Sequence, residues 1–146
     1  MIIEKMSVGP IMANCFVLGC EKTKEAVVID PGDDVDKILM VLSKHNLRVR
    51  YIFNTHGHFD HVGANKSLKQ VTGADLYIHR SDEHMLETLD SHAAMFGLSA
   101  ENSPPADKYL EDGDELSFGD NIKIRVIHTP GHSEGGVSFL VDGNLF

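Results

Sequence analysis

The chain has 146 residues, 42% of them hydrophobic and 24% charged, which is enough to bury an apolar core as one domain and too apolar for a disordered tract. Its formal net charge of −9 disfavours nucleic acid, because binding to a phosphate backbone is driven by Lys and Arg displacing counterions. No run of about 18 apolar residues is present to span a bilayer, and the first residues read as a strand rather than a signal peptide, so a cytoplasmic protein that engages no membrane is expected.

In chain order, Ile2 to Val8 predicts a strand, Gly9-Pro10 turns the chain, and the apolar run Cys15 to Leu18 completes a hairpin. Cys15 and Cys20 match neither a zinc knuckle nor a redox Cys-x-x-Cys, and read as reduced structural thiols. Ala26 to Ile29 is an unbroken apolar run, expected to be buried on both faces and stopped by Asp30-Pro31-Gly32-Asp33. Val35, Ile38, Leu39, Val41 and Leu42 recur at helical spacing between Asp34 and His45, with Asp33, Asp34 and Asp36 at the positive N-terminal end. Tyr51 to Phe53 is a short strand, and helical spacing resumes from Ala64 to Val71, so the histidine-rich stretch between them is expected in a strand-to-helix loop. Leu76 to His79 predicts a strand and Asp82 to Phe96 a helix, ended by Asn102-Ser103-Pro104-Pro105. Beyond it the pattern is β: Glu115 to Phe118, Ile122 to Ile127 and Val137 to Val141, with Ile122, Ile124 and Val126 on one face and Lys123 and Arg125 on the other.

The segment His56-Gly57-His58-Phe59-Asp60-His61 concentrates four metal-ligating side chains in six residues. In extended backbone, side chains two apart project to the same side, so His56 and His58 can converge on one ion, with Gly57 letting the loop bend close to it. Asp60 and His61 are offset and can serve a neighbouring ion. A catalytic zinc usually takes three protein ligands and leaves a position for water. The third is assigned to His132, in a Thr129-Pro130-Gly131-His132 turn directly after a strand. Imidazole and carboxylate ligands suit zinc, iron or manganese, with zinc favoured. Such an ion lowers the pKa of bound water and polarises a carbonyl, which points to hydrolysis. A histidine ligand also needs its second ring nitrogen oriented, and Asp30 or a backbone carbonyl can do this. His45, His79, His84, His92 and His128 read as ordinary polar histidines, and no phosphate loop, dinucleotide-binding glycine pattern or Gly-x-Ser-x-Gly motif is present.

These residues resemble the metallo-β-lactamase superfamily. Its His-x-His-x-Asp-His signature stands at His56 to His61, and the agreement extends to Asn14 before an apolar strand, to Val27-Val28-Ile29-Asp30-Pro31-Gly32 and to the block carrying His132. Within it the chain most resembles the glyoxalase II-like (hydroxyacylglutathione hydrolase-like) enzymes, thioesterases acting on compounds such as S-lactoylglutathione. The resemblance implies an α+β fold, an αββα sandwich with metals at one edge, of which residues 1–146 form a single domain covering the N-terminal two-thirds and incomplete at the C-terminus. It implies His56, His58 and His132 as ligands of a first metal and Asp60 and His61 as ligands of a second, with Asp60 catalytic. Family members place a metal-bridging Asp soon after a strand resembling Gly143 to Phe146, and a last His later. The chain ends before both, so one tight ion and a weak or empty second site are expected.

The expected function is metal-dependent hydrolysis of small-molecule thioester or related ester substrates by metal-bound hydroxide. Two alternatives stand beside it: a single-iron enzyme resembling the persulfide dioxygenases, and a catalytically silent metal-binding domain. The second sheet is expected to leave an apolar face and an unpaired edge, through which a homodimer would form.

Overall fold

In the computed structural model, which describes all 146 residues, the expected hairpin is formed by β1 (Ile2–Val8) and β2 (Ala13–Gly19), antiparallel, with Ile2 opposite Gly19 and Val8 opposite Ala13. β3 (Glu25–Ile29) adds antiparallel to β2. Its unbroken apolar run is buried on both faces: Ala26 and Val28 pack toward helices, Val27 and Ile29 toward a second sheet. β4 (Arg48–Phe53), β5 (Asp75–His79) and β6 (Lys108–Leu110) follow in parallel, completing a six-stranded sheet in the order β1 to β6.

Parallel neighbours need crossovers, and helices supply them. α1 (Val35–Lys44) joins β3 to β4 and buries Ile38 and Leu42. α2 (Phe59–Val62) and α3 (Asn65–Thr72) join β4 to β5, and a 3₁₀ helix (Arg80–Thr88) running into α4 (Leu89–Ala94) lies between β5 and β6. The remaining strands, β7 (Glu115–Phe118), β8 (Ile122–His128), β9 (Val137–Val141) and β10 (Asn144–Leu145), form an antiparallel sheet in the order β10-β9-β8-β7. One core cluster lies between the helices and the first sheet; the other lies between the two sheets, where Phe53 stacks on Phe139 at 4.9 Å and meets Tyr77 edge-on. No helix is long and apolar enough to cross a membrane, and Cys15 and Cys20 are free and buried.

The α+β sandwich expected from the sequence is therefore present, with differences. Every helix packs on the first sheet, so these residues supply helices and two sheets, while Lys123, Arg125 and Leu140 on the outer face of the second sheet remain exposed. The helix expected over Asp82 to Phe96 is instead a 3₁₀ helix followed by a short α-helix. Leu86, Leu89 and Ala93 keep the expected apolar spacing, but the turn is tighter around Asp82, whose carboxylate is drawn inward by three donors. The histidine segment is only partly a loop, since Asp60 and His61 stand on the one-turn helix α2. β6 and β10, of three and two residues, are too short to carry a periodic signal.

Because Phe53 joins the two sheets, Phe53→Ala is expected to lower the unfolding free energy by about 3–5 kcal/mol, as measured by denaturant titration. A loss under about 1 kcal/mol would mean that the sheets repack without it.

Candidate metal centre

β4 delivers the chain to the edge of the sandwich and a polar pair then fixes its course. Asn54 is fully buried, its backbone N–H donates to the Tyr77 carbonyl at 3.0 Å, and its side chain exchanges amide hydrogen bonds with Asn65 at 3.1 and 2.8 Å. Asn65 opens α3 and also donates to Ser103 at 3.1 Å, so the segment carrying His56 to His61 is clamped at both ends. On the second sheet, β8 ends at His128 and the loop 129–136 carries His132 before β9 begins. The Val137 N–H donates to the Thr55 carbonyl at 2.8 Å, which stitches this loop to the first.

His56, His58 and His132 consequently each present a ligating atom within 4.8 Å of the others. His58 Nδ1 and His132 Nε2 are 2.9 Å apart, close to the roughly 3.3 Å that separates two imidazole nitrogens on one tetrahedral zinc with bonds of about 2.0–2.1 Å. His56 Nδ1 is buried and has no hydrogen-bond partner. A buried polar atom without a partner is costly, and three converging imidazoles with one nitrogen left over suit a divalent cation. Burial pushes the His56 pKa down to about 4, and burial first and His132 second also lower that of His58. Both rings are thus neutral near pH 7, the form in which imidazole ligates metals.

The second pair lies alongside. The His56 and His61 rings are 4.1 Å apart, and His61 Nε2 is 3.4 Å from Asp60 Oδ2. His61 Nδ1 donates to Asp30 Oδ2 at 2.9 Å; burial lowers the His61 pKa, but this hydrogen bond and the Asp30 charge outweigh it and raise the net value. Asp30 also accepts from the backbone N–H and the hydroxyl of Thr55, at 2.7 and 2.6 Å. It sits in left-handed backbone (φ 56), a conformation that Asp tolerates better than most residues and one typical of functional turns. Gly32 has a different constraint: a Cβ there would lie 1.9 Å from the Asp60 carbonyl oxygen, so only glycine lets the turn after β3 pass under α2.

Of the five sequence-derived ligand candidates, His56, His58 and His132 converge within reach of one ion, His61 lies beside His56 with Asp30 behind it, and Asp60 lies beside His61. Of the histidines set aside, His92 lies near the site: its ring is 5.4 Å from that of His58 and 5.0 Å from that of Phe59, which is 5.6 Å from Phe96. His79 and His128 stack on each other at 4.4 Å. Asn54, Asn65, Asp82 and Ser133 carry no sequence signal beyond being polar. A groove of about 320 Å³ opens beside Asp60, lined among others by Ile11, Asp33, Phe59, Leu98 and Glu101.

Comparison with known proteins agrees with this geometry. The model of the metallo-beta-lactamase superfamily matches residues 8–144. The hydroxyacylglutathione hydrolase GloC of Haemophilus influenzae is 30% identical over 96% of this chain and 66% of its own length. Among solved structures, the B3 metallo-beta-lactamase BLEG-1 superposes with a TM-score of 0.85 at 33% identity, covering 96% of this chain and 67% of that one. TTHA1623, solved in a di-iron-bound form, gives 0.83 at 34% identity, covering 93% and 65%. The chain spans 63 to 66% of the length of the first curated relatives it matches.

Elemental analysis after dialysis against zinc is expected to find about one retained ion per chain, since only the first group offers three protein ligands. His58→Ala and His132→Ala are each expected to lose it. Stoichiometric metal in either variant would remove that residue from the ligand set.

Proposed function

The chain belongs to the metallo-β-lactamase superfamily, and from that premise we propose that it acts as a metal-dependent hydrolase of small thioester or related ester substrates, in the manner of glyoxalase II. The observation that carries this reading is the approach of His58 Nδ1 to His132 Nε2 at 2.9 Å with His56 beside them, a three-imidazole cradle whose neighbouring segment, through Phe59 and Asp60, lines a groove. A divalent ion held by these three residues supplies acidified water and a polarised substrate carbonyl. Asp60, whose Oδ2 lies 3.4 Å from His61 Nε2 on the groove wall, would hold and orient the attacking water. Asp30 keeps the proton of His61 on Nδ1, so that Nε2 stays turned toward Asp60. The groove receives the acyl part: Phe59 and Leu98 give it apolar wall, and Asp33, Asp60 and Glu101 line it without any cation, which favours an uncharged acyl group there.

The thioester assignment is supported by GloC, and zinc by the nitrogen-rich ligand set. The di-iron-bound form of TTHA1623 supports iron as an alternative metal, and the likeness to ETHE1 from Myxococcus xanthus supports a second reading, a single-iron enzyme of the persulfide dioxygenase kind. A cytoplasmic setting accords with two free thiols.

Metal-replete protein assayed for thiol release from S-lactoylglutathione and simple acyl thioesters is expected to turn over and to stop on chelation. Asp60→Asn should lower kcat about 100-fold while keeping the first ion. Absence of turnover, or turnover that survives chelation, rejects the hydrolase; oxygen uptake with persulfide by the iron-loaded form would establish the second reading instead.

A further inference from the structure

Asp82 stands three residues beyond β5, in the 3₁₀ helix, and belongs to none of the ligand motifs. It is 1% exposed, yet its carboxylate has only uncharged partners. Oδ2 accepts from the backbone N–H of Gly57 at 2.9 Å and from the hydroxyl of Ser133 at 2.6 Å, and Oδ1 accepts from the backbone N–H of Gly135 at 2.8 Å. Gly57 lies between His56 and His58, and Ser133 is the neighbour of His132. One buried carboxylate therefore grips both ligand-bearing loops, which come from different sheets.

The surrounding glycines fit this role. A Cβ on Gly135 would stand 2.7 Å from Asp82 Oδ1, and a Cβ on Gly57 would stand 3.0 Å from the Asp82 carbonyl oxygen. The missing side chain of Gly57 thus makes room for Asp82 and Met85, a reason for that glycine beyond the one read from the sequence. A carboxylate this deeply buried is expensive unless hydrogen-bonded, and three donors from two loops meet that need only while the loops keep their present separation. The charge has a second effect. Three imidazole ligands bring no negative charge to a divalent cation, and an anion one hydrogen bond from the backbone between two of them acts on that cation through poorly screened interior.

We infer that Asp82 is the positioning residue of the metal centre: by binding Gly57, Ser133 and Gly135 at once, it sets the distance between the His56–His58 loop and His132, and with it the affinity and coordination geometry of the ion. This rests on the reading that those three histidines hold the ion.

The test uses cobalt(II) as the probe, with affinity measured by competition against a chromogenic chelator and geometry read from the visible absorption of the cobalt form. Asp82→Asn keeps the shape but removes the charge and sets an amide donor against an incoming donor. It is expected to weaken cobalt binding about 10-fold to 100-fold and to change the spectrum, while circular dichroism reports an intact fold. Ser133→Ala deletes one of the three contacts and keeps the charge, and should weaken binding by a smaller factor with a spectral change in the same sense. A folded Asp82→Asn protein with wild-type affinity and spectrum overturns the inference. If Asp82→Asn does not fold, the Ser133→Ala result decides: unchanged affinity and spectrum overturn it, weakened binding with an altered spectrum supports it. His132→Ala separates the two claims. Loss of cobalt there, with none in the Asp82 and Ser133 variants, sinks only the role of Asp82, whereas full retention in His132→Ala sinks the ligand assignment itself.

Discussion

The stacking of Phe53 on Phe139, with ring centres 4.9 Å apart and planes 13° from parallel, fixes how far the two sheets stand from each other. Phe53 is the last residue of β4, three before His56, and Phe139 lies in β9, just beyond the loop that carries His132. The separation of the strand ends from which the two histidine loops start is therefore inherited from core packing, in which a change of a single methylene is felt. The Val137 to Thr55 backbone hydrogen bond carries that spacing out to the edge, where the loops begin. Ligand loops held in this way need little reorganisation when a cation arrives, which is the condition for a centre that binds tightly and reacts from a fixed geometry.

Two buried acids hold the segments that form the cradle. Asp30, 4% exposed, holds Thr55 and His61; Asp82, 1% exposed, holds Gly57 and the loop 129–136. Each would be costly alone in an apolar interior, and each is satisfied by donors from segments distant in sequence. The same donors that satisfy the acids are the groups that position the histidines, so stability and site geometry are coupled. The acidic groove beside Asp60 belongs to the same design: Gly32 lets the β3 turn approach α2 closely enough to bring Asp33 and Asp60 to one wall.

Much of this was legible in the chain. Strand runs such as Ala26 to Ile29 announce burial on both faces because apolar residues without alternation have no solvent side, and the structure places them between helices and the second sheet. The density of ligand types at His56 to His61 and the Thr-Pro-Gly-His turn could be read directly, since both depend on residue identity at short range. Asp82 could not. A buried acid has the same letter as a surface acid, and its partners Gly57, Ser133 and Gly135 are 25, 51 and 53 residues away. The Asn54–Asn65 pair was hidden for the same reason, and the place of His92 against His58 and Phe59 depends on how α4 folds back over α2. Long-range polar contacts leave no periodicity, so only the fold reveals them.

The central claim is that packing brings three imidazoles from two loops onto one ion, and X-ray absorption of the chain loaded with one equivalent of zinc measures this most directly. The account predicts a first shell containing three imidazole nitrogens at about 2.0–2.1 Å, with the outer-shell scattering of histidine rings. A shell containing sulfur at about 2.3 Å, or one imidazole or none, would contradict it.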